Sequence, residues 1–231
     1  MSKSATTLDP AVPVICVDGP SGSGKGTLAM RLADHLGWHL LDSGALYRIL
    51  GVQAEQQGLD LADAEAVAAL AKGLEVRFEG EQVLVFGVDM TDKLRTETAG
   101  AAASLVAAHP PVRAAIVTLQ HGFARPPGLV ADGRDMGTEI FAAAPLKIFL
   151  DASAEVRAER RYNQLKNKGL AVSLRDLLEA IRQRDERDRA RAVSPLRPAE
   201  DAIVIDSSEL SIEQVLQLVL TEVEHLGLAN S

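Results

Sequence analysis

Five short apolar runs, each closed by an aspartate, punctuate the chain: Val12 to Asp18, Trp38 to Asp42, Gly128 to Asp132, Leu146 to Asp151 and Ala202 to Asp206. Stretches with apolar residues at helical spacing, such as LAMRLADHL, lie between them. The alternation predicts βαβ units on a parallel sheet flanked by helices. Ligands of open α/β sheets collect at the C-terminal edge of the strands, so the five carboxylates would crowd one rim. Some must cap helices or serve a metal, and not all can be catalytic.

Residues 49 to 127 interrupt this rhythm. They hold an Ala-rich helical stretch, Leu61 to Lys72, and an alternating pair, LEVRF and VLVFG, that reads as a β-hairpin across EGEQ. Helical stretches from Thr96 to Ala108 and Val112 to Ala124 follow, separated by Pro110 and Pro111. The segment reads as a sub-domain inserted into an α/β core. SIEQVLQLVLTEVEHLG near the C-terminus reads as a helix docked on the sheet, with Ser211 as its N-cap. No linker divides the chain into independent domains.

Composition narrows the classes of function. With 231 residues and a formal charge of −8, the chain suits one sizeable domain and is a poor electrostatic partner for nucleic acid or an anionic membrane. Its longest apolar runs, VPVICV and LKIFL, are far shorter than a membrane span, and MSKSATTLDP lacks the apolar core of a signal peptide. A soluble cytosolic protein is expected. The single cysteine, Cys16, falls inside a strand candidate and has no internal disulfide partner. His35, His39, His109, His121 and His225 show no metal-ligand spacing and read as structural or surface residues. Trp38 reads as core. No nucleophile elbow occurs, and no Asn-Lys-x-Asp string of the kind that reads guanine in nucleotide switches. Against the acidic background, RQRDERDRARAVSPLR, residues 182 to 197, carries six arginines and no lysine.

DGPSGSGKGT, Asp18 to Thr27, carries candidate chemistry. Gly19, Pro20, Ser21, Gly22, Ser23, Gly24 and Lys25 follow an apolar strand and open a helix. In that setting backbone N–H groups and the helix N-terminus surround a phosphate, and the lysine reaches its β/γ end. The usual loop places Ser or Thr directly after the lysine to ligate magnesium. Here Gly26 stands in that place and Thr27 comes one step late. The metal would then be held by phosphate oxygens and waters, steadied through water by Asp132; Asp18 is expected to fix the loop itself. A loosely held metal suits transfer between two phosphate-bearing substrates better than hydrolysis.

GKGT, LLDSGALYR (Leu40 to Arg48), ADGRDMGT (Ala131 to Thr138), KIFLDAS (Lys147 to Ser153) and RDERDRARAVSPL (Arg184 to Leu196) occur in this order. Together they resemble the bacterial cytidylate kinases among the nucleoside monophosphate kinases, from about Pro13 to beyond Ser208. The resemblance implies a single P-loop kinase domain over residues 12–227: a five-stranded parallel core, an acceptor-binding insert at 49–127 and a lid at 157–192. It implies ATP as phosphoryl donor with Mg²⁺, CMP or dCMP as acceptor, and a catalytic set of Lys25, Arg134, Arg184 and Arg191. Arg48 and Arg134 would hold the acceptor phosphate with help from Ser43, and Arg184 and Arg191 would close over both nucleotides. Asp188 would take the acceptor ribose, and Asp135, Arg113 and Ser104 would read the cytosine.

Such chemistry needs positive charge around both phosphates and exclusion of water, for which bidentate, always-charged arginine is suited. An aspartate accepts from the exocyclic amine of cytosine where uracil offers an oxygen. Arg184, Asp188 and Arg191 lie at i, i+4 and i+7 on one helical face. By pattern alone they could equally form an intrahelical salt-bridge ladder. Arg113 could likewise be an exposed helix residue, Ser104 a packing residue, and Arg160 and Arg161 either clamps or solvated surface. A monomer is expected, because the chemistry needs one chain.

Overall fold

The computed structural model describes residues 12–167 and 169–230; the N-terminal stretch read above for a signal peptide lies outside them. The elements in chain order are β1 (Val14–Asp18), α1 (Lys25–Leu36), β2 (His39–Asp42), α2 (Ser43–Gln56), α3 (Ala64–Leu70), β3 (Val76–Glu79), β4 (Gln82–Val85) and β5 (Val88–Asp89). Then come α4 (Thr91–Leu94), α5 (Glu97–Val106), α6 (Pro110–His121), β6 (Leu129–Gly133), a π-helical turn at Met136–Ile140, β7 (Leu146–Asp151), α7 (Ala154–Asn167), α8 (Leu174–Arg189), β8 (Ile203–Asp206) and α9 (Ile212–His225).

A parallel sheet in the order β2-β6-β1-β7-β8, flanked by helices, forms the core of the expected α/β architecture. Every residue of β1 is buried, because the strand is covered on both faces. Val14 and Cys16 point to one apolar cluster, shared with α2, α3, α5 and α6, while Ile15 and Val17 point to the other, with α1 and α9. Trp38 belongs to the second cluster. Placing β1 at the centre, with β6 and β7 on either side, brings the ends of three strands onto one rim.

Local chemistry sets the helix ends. Gly37, at φ 65, closes α1 by donating its N–H to Ala33 and Asp34 carbonyls. The Asp42 carboxylate caps α2 by accepting from the Ala45 N–H at 2.9 Å. Ser211 and Gln214 form a reciprocal capping box on α9.

The expected hairpin is present as the antiparallel pair β3-β4, extended by the two-residue β5, which is too short to show alternation. Two expectations are corrected. Pro110 and Pro111 do not separate helices but open α6, where a missing N–H costs nothing. α8 ends at Arg189, so Arg191 lies past the helix rather than on its face.

No single helix among the described residues is long and apolar enough to cross a membrane; α5 and α6 meet that test only as a pair bent by 104°.

Candidate functional site

The loop after β1 wraps back onto the N-terminus of α1. Gly24 precedes the helix at φ 96, with no capping side chain and no acid in the first turn, so the first N–H groups stay available to an anion. Gly19 is held against β7, where a Cβ would come within 2.1 Å of the Leu150 carbonyl oxygen. Lys25 is buried and its Nζ donates to the Pro20 carbonyl at 3.0 Å. Burial, reinforced by the neighbouring Arg134 charge, pulls its pKa down to about 7.

A cavity of about 660 Å³ opens above this loop. Ser21, Gly22, Gly24, Lys25, Gly26 and Thr27 line it, with Arg48, Asp132, Arg134 and Arg184. Gly19, Pro20 and Ser23 build the turn without lining the cavity.

The five strand-end carboxylates have separate fates. Asp42 caps α2. Asp151 accepts from the Ala152 N–H, and Asp206 from the Ser208 N–H and hydroxyl. Asp18 does not fix the phosphate loop, as expected above, but accepts from the Met136 and Gly137 N–H groups after β6. Its carboxyl is pushed up to about 7 by burial against the pull of those two donors. Asp42 and Asp132 both line the cavity, and Asp132 brings to it a buried oxygen, Oδ1, that makes no hydrogen bond. Burial raises it to about 6, although Lys25 draws it down. Among the described residues no group of three or more His, Cys, Asp or Glu could hold a metal. One free carboxylate beside a phosphate loop fits Mg²⁺, which keeps its waters and takes substrate phosphates as ligands.

Gly26 touches this carboxylate: a Cβ at position 26 would lie 3.2 Å from Asp132 Oδ2.

Asp188, buried beside the cavity, is the hub of the arginines. Arg191 donates to Oδ1 at 2.5 Å, Arg134 to Oδ2 at 3.4 Å, Arg184 lies 4.0 Å away, and the Ser104 hydroxyl donates at 3.2 Å. Against its burial, Arg134, Arg191 and Arg184 together hold Asp188 below the usual carboxylate range. Burial, and then the Arg134 charge, lower Arg184 to about 10, and its buried Nε makes no hydrogen bond. The i, i+4 contact of the ladder is therefore present, but Arg134 joins the cluster from outside the helix.

Arg113, buried on α6, pairs with Asp135 Oδ2 and donates to the Ser194 hydroxyl at 2.8 Å. Its guanidinium lies 6.0 Å from the Tyr47 ring centre. Ser43 Oγ accepts from Gln120 Nε2 at 2.9 Å, which leaves the hydroxyl proton to be donated elsewhere. Ser43, Ser104, Arg113, Asp135, Asp188 and Arg191 thus sit beside the cavity rather than on its wall. Arg160 is tied to the Ser23 and Ser207 carbonyls, and Arg161 to Glu97.

Sequence reasoning missed Tyr47, Gln120, Arg157 and Ser194. Tyr47 and Ser194 both lay within recognised motifs, and Ser194 takes a left-handed φ of 50 that only the folded chain displays. Arg157 pairs with buried Asp185, 3.0 Å from Nη1 to Oδ1, and donates to the Ser21 carbonyl, joining α7, α8 and the phosphate loop.

A family model described as Cytidylate kinase matches residues 15–225. The curated cytidylate kinase of Pseudomonas fluorescens is 59% identical over 217 residues, covering 91% of this chain and 95% of that protein. That of Stutzerimonas stutzeri is 58% identical over 224 residues, covering 94% and 98%. That of Pseudomonas aeruginosa is 54% identical over 226 residues, covering 95% and 99%.

Proposed function

The chain belongs to the cytidylate kinase family, and from that premise we propose that it transfers the γ-phosphoryl group of ATP to CMP or dCMP, giving ADP and CDP or dCDP. It is an ATP-dependent phosphotransferase acting on CMP. The observation that carries the residue-level reading is a pair of buried, unpartnered atoms in one cavity with Lys25: Asp132 Oδ1 and Arg184 Nε. One is suited to a metal-bound water and the other to a phosphate oxygen.

On this reading the loop from Gly19 to Thr27 takes the donor phosphates on its N–H groups, and Lys25 regains its full charge against them. Arg48, Arg134 and the Ser43 hydroxyl bind the acceptor phosphate. Arg184 and Arg191 neutralise the charge that spreads over the transferring group. Mg²⁺, when bound through water to Asp132, would supply further neutralisation of the phosphate oxygens. Asp188 takes the acceptor ribose; Asp135, with Arg113 and Ser104, distinguishes cytosine from uracil. Residues 49–127 act as the acceptor-binding insert, and 157–192 as a lid whose closure excludes water. The scheme draws every group from one chain, so a monomer would suffice for it, and a cytoplasmic location is proposed with it.

A coupled assay for ADP release, run over a panel of nucleoside monophosphates with a control lacking acceptor, tests the function. Release with CMP and dCMP well above other acceptors is expected, and rapid release without acceptor would overturn it. Asp135→Ala should narrow the gap between CMP and UMP in kcat/KM; an unchanged ratio would remove Asp135 from base recognition.

A further inference from the structure

Asp18 is a buried carboxylate for which the transfer chemistry has no use. It ends β1, is 5% exposed, and has no ion-pair partner among the described residues. Among the described residues its carboxylate has two hydrogen bonds, both to amides far away in sequence: Oδ1 accepts from the Met136 N–H at 2.9 Å and Oδ2 from the Gly137 N–H at 2.8 Å. Leaving a carboxylate buried with two amides as its sole support is expensive, so a purely structural role would be met more cheaply by an apolar residue.

What those two amides hold is specific. β6 pairs with β1 up to Gly133, which lies opposite Asp18 in the ladder. The π-helical turn begins at Met136. Arg134 and Asp135 are therefore the only residues between two fixed points, the ladder at Gly133 and the Asp18 carboxylate. Gly137 leaves this point uncrowded: a Cβ there would press the Lys147 stem at 3.1 Å from Cδ and meet Asp18 Oδ2 at 3.4 Å. Lys147 braces the far end of the same segment, donating to the Ala142 carbonyl at 2.6 Å and to Asp201 at 2.8 Å. Because Gly19 follows Asp18 directly, the residue that anchors the Arg134–Asp135 segment is also the one from which the phosphate loop departs.

We propose that Asp18 is a positioning residue for acceptor recognition: it sets the Arg134–Asp135 dipeptide in register with the phosphate loop, so that the acceptor phosphate and base are placed relative to the donor. The inference rests on the reading of Arg134 and Asp135 as acceptor-binding residues.

Asp18→Asn keeps the side-chain volume and one accepting oxygen but turns an NH₂ toward the other amide. One buried donor then loses its partner, and the dipeptide shifts. KM for CMP should rise about tenfold or more and the preference for CMP over UMP should fall with it, while KM for ATP stays within about twofold. A residue that merely supports the fold would lower Tm and the fraction of active enzyme, leaving both KM values and the selectivity unchanged; that result overturns the proposal. If Asp18→Asn does not fold, Asp18→Glu keeps the charge but lengthens the reach to the Met136 and Gly137 amides, and an unchanged KM for CMP in that variant overturns it equally. Wild-type enzyme assayed in parallel separates the two ideas. Absence of a CMP preference in the wild type defeats the acceptor reading itself, whereas a normal wild type with unaffected variants defeats only the role of Asp18.

Discussion

Replacing Asp188 by Asn tests whether one carboxylate balances the arginine cluster. The side chain keeps its volume and its contact with the Ser104 hydroxyl, and only the charge is removed. Arg191, Arg134 and Arg184 stand 2.5, 3.4 and 4.0 Å from this carboxylate, all largely buried. Removing one partner of a buried ion pair costs about 3–5 kcal/mol, because the remaining charge is left uncompensated. For a chain of this size about 1 kcal/mol corresponds to roughly 2–4 °C in Tm, so the expected fall is about 6–20 °C. An added anion should then take the place of the lost one. Melting in rising inorganic phosphate should restore the variant more than it stabilises the wild type, with about 2.7 kcal/mol recovered at a hundredfold excess over Kd. Far-ultraviolet circular dichroism melts, with and without phosphate, provide the assay. A Tm within about 2 °C of wild type, with no greater response to phosphate, would refute the idea that Asp188 is the counter-charge of this cluster.

Three further outcomes follow from the same geometry. Burial holds the Lys25 pKa near 7 in the free protein, and a bound triphosphate raises it again, so affinity is full below that pH and falls as pH rises. Titration calorimetry with ATP from about pH 7.5 to 9 in two buffers should show about twentyfold weakening with net proton uptake, and a flat profile would contradict it. Gly26→Ser places a Cβ 3.2 Å from Asp132 Oδ2 and a hydroxyl beside the carboxylate. Steady-state kinetics should show kcat lowered about fivefold to tenfold, whereas a raised turnover with CMP would count against a metal completed by substrates. Asp132→Asn removes a buried charge that has no hydrogen bond on Oδ1, so Tm should not fall. Magnesium titration of that variant should need about tenfold more metal or above, and an unchanged requirement would free Asp132 from the metal.

The core of the fold was legible because its strands are buried on both faces. VICVD in β1 reads as an unbroken apolar run, and its terminal aspartate marks the rim. Phosphate-loop glycines were equally plain, since their spacing encodes backbone geometry within ten residues. Contacts across the chain left no such trace. Nothing periodic announces that Arg113 meets Ser194, 81 residues away, or that Asp18 meets Gly137, 119 residues away. The error over Arg191 has the same origin: a helical wheel assumes that the helix continues, but α8 stops at Arg189 and Arg191 reaches Asp188 from the following turn. Thus the residue types at the site were readable, while their pairings required the topology that folds β6 next to β1.

Gly26 and Asp132 are best understood as one choice. A serine at position 26 would set a hydroxyl beside the Asp132 carboxylate, where the usual loop ligates its metal with donor alone. With glycine there, no side chain stands beside Asp132 Oδ2, Oδ1 makes no hydrogen bond, and on the proposed reading Asp132 is left to steady the metal through water. At the same time Asp188 pairs with Arg134 and Arg191, and Arg184 lies 4.0 Å from it without a hydrogen bond on Nε. On the proposed reading, both halves of the electrostatic machinery are therefore incomplete until phosphates arrive from two sides: the metal lacks ligands, and the arginines are turned toward an internal carboxylate. The acceptor ribose engages Asp188 and its phosphate competes for Arg134, so the bound acceptor itself releases positive charge toward the transferring group. Donor alone would meet neither condition, which gives a physical reason for transfer to outpace hydrolysis in a loop that lacks the usual hydroxyl.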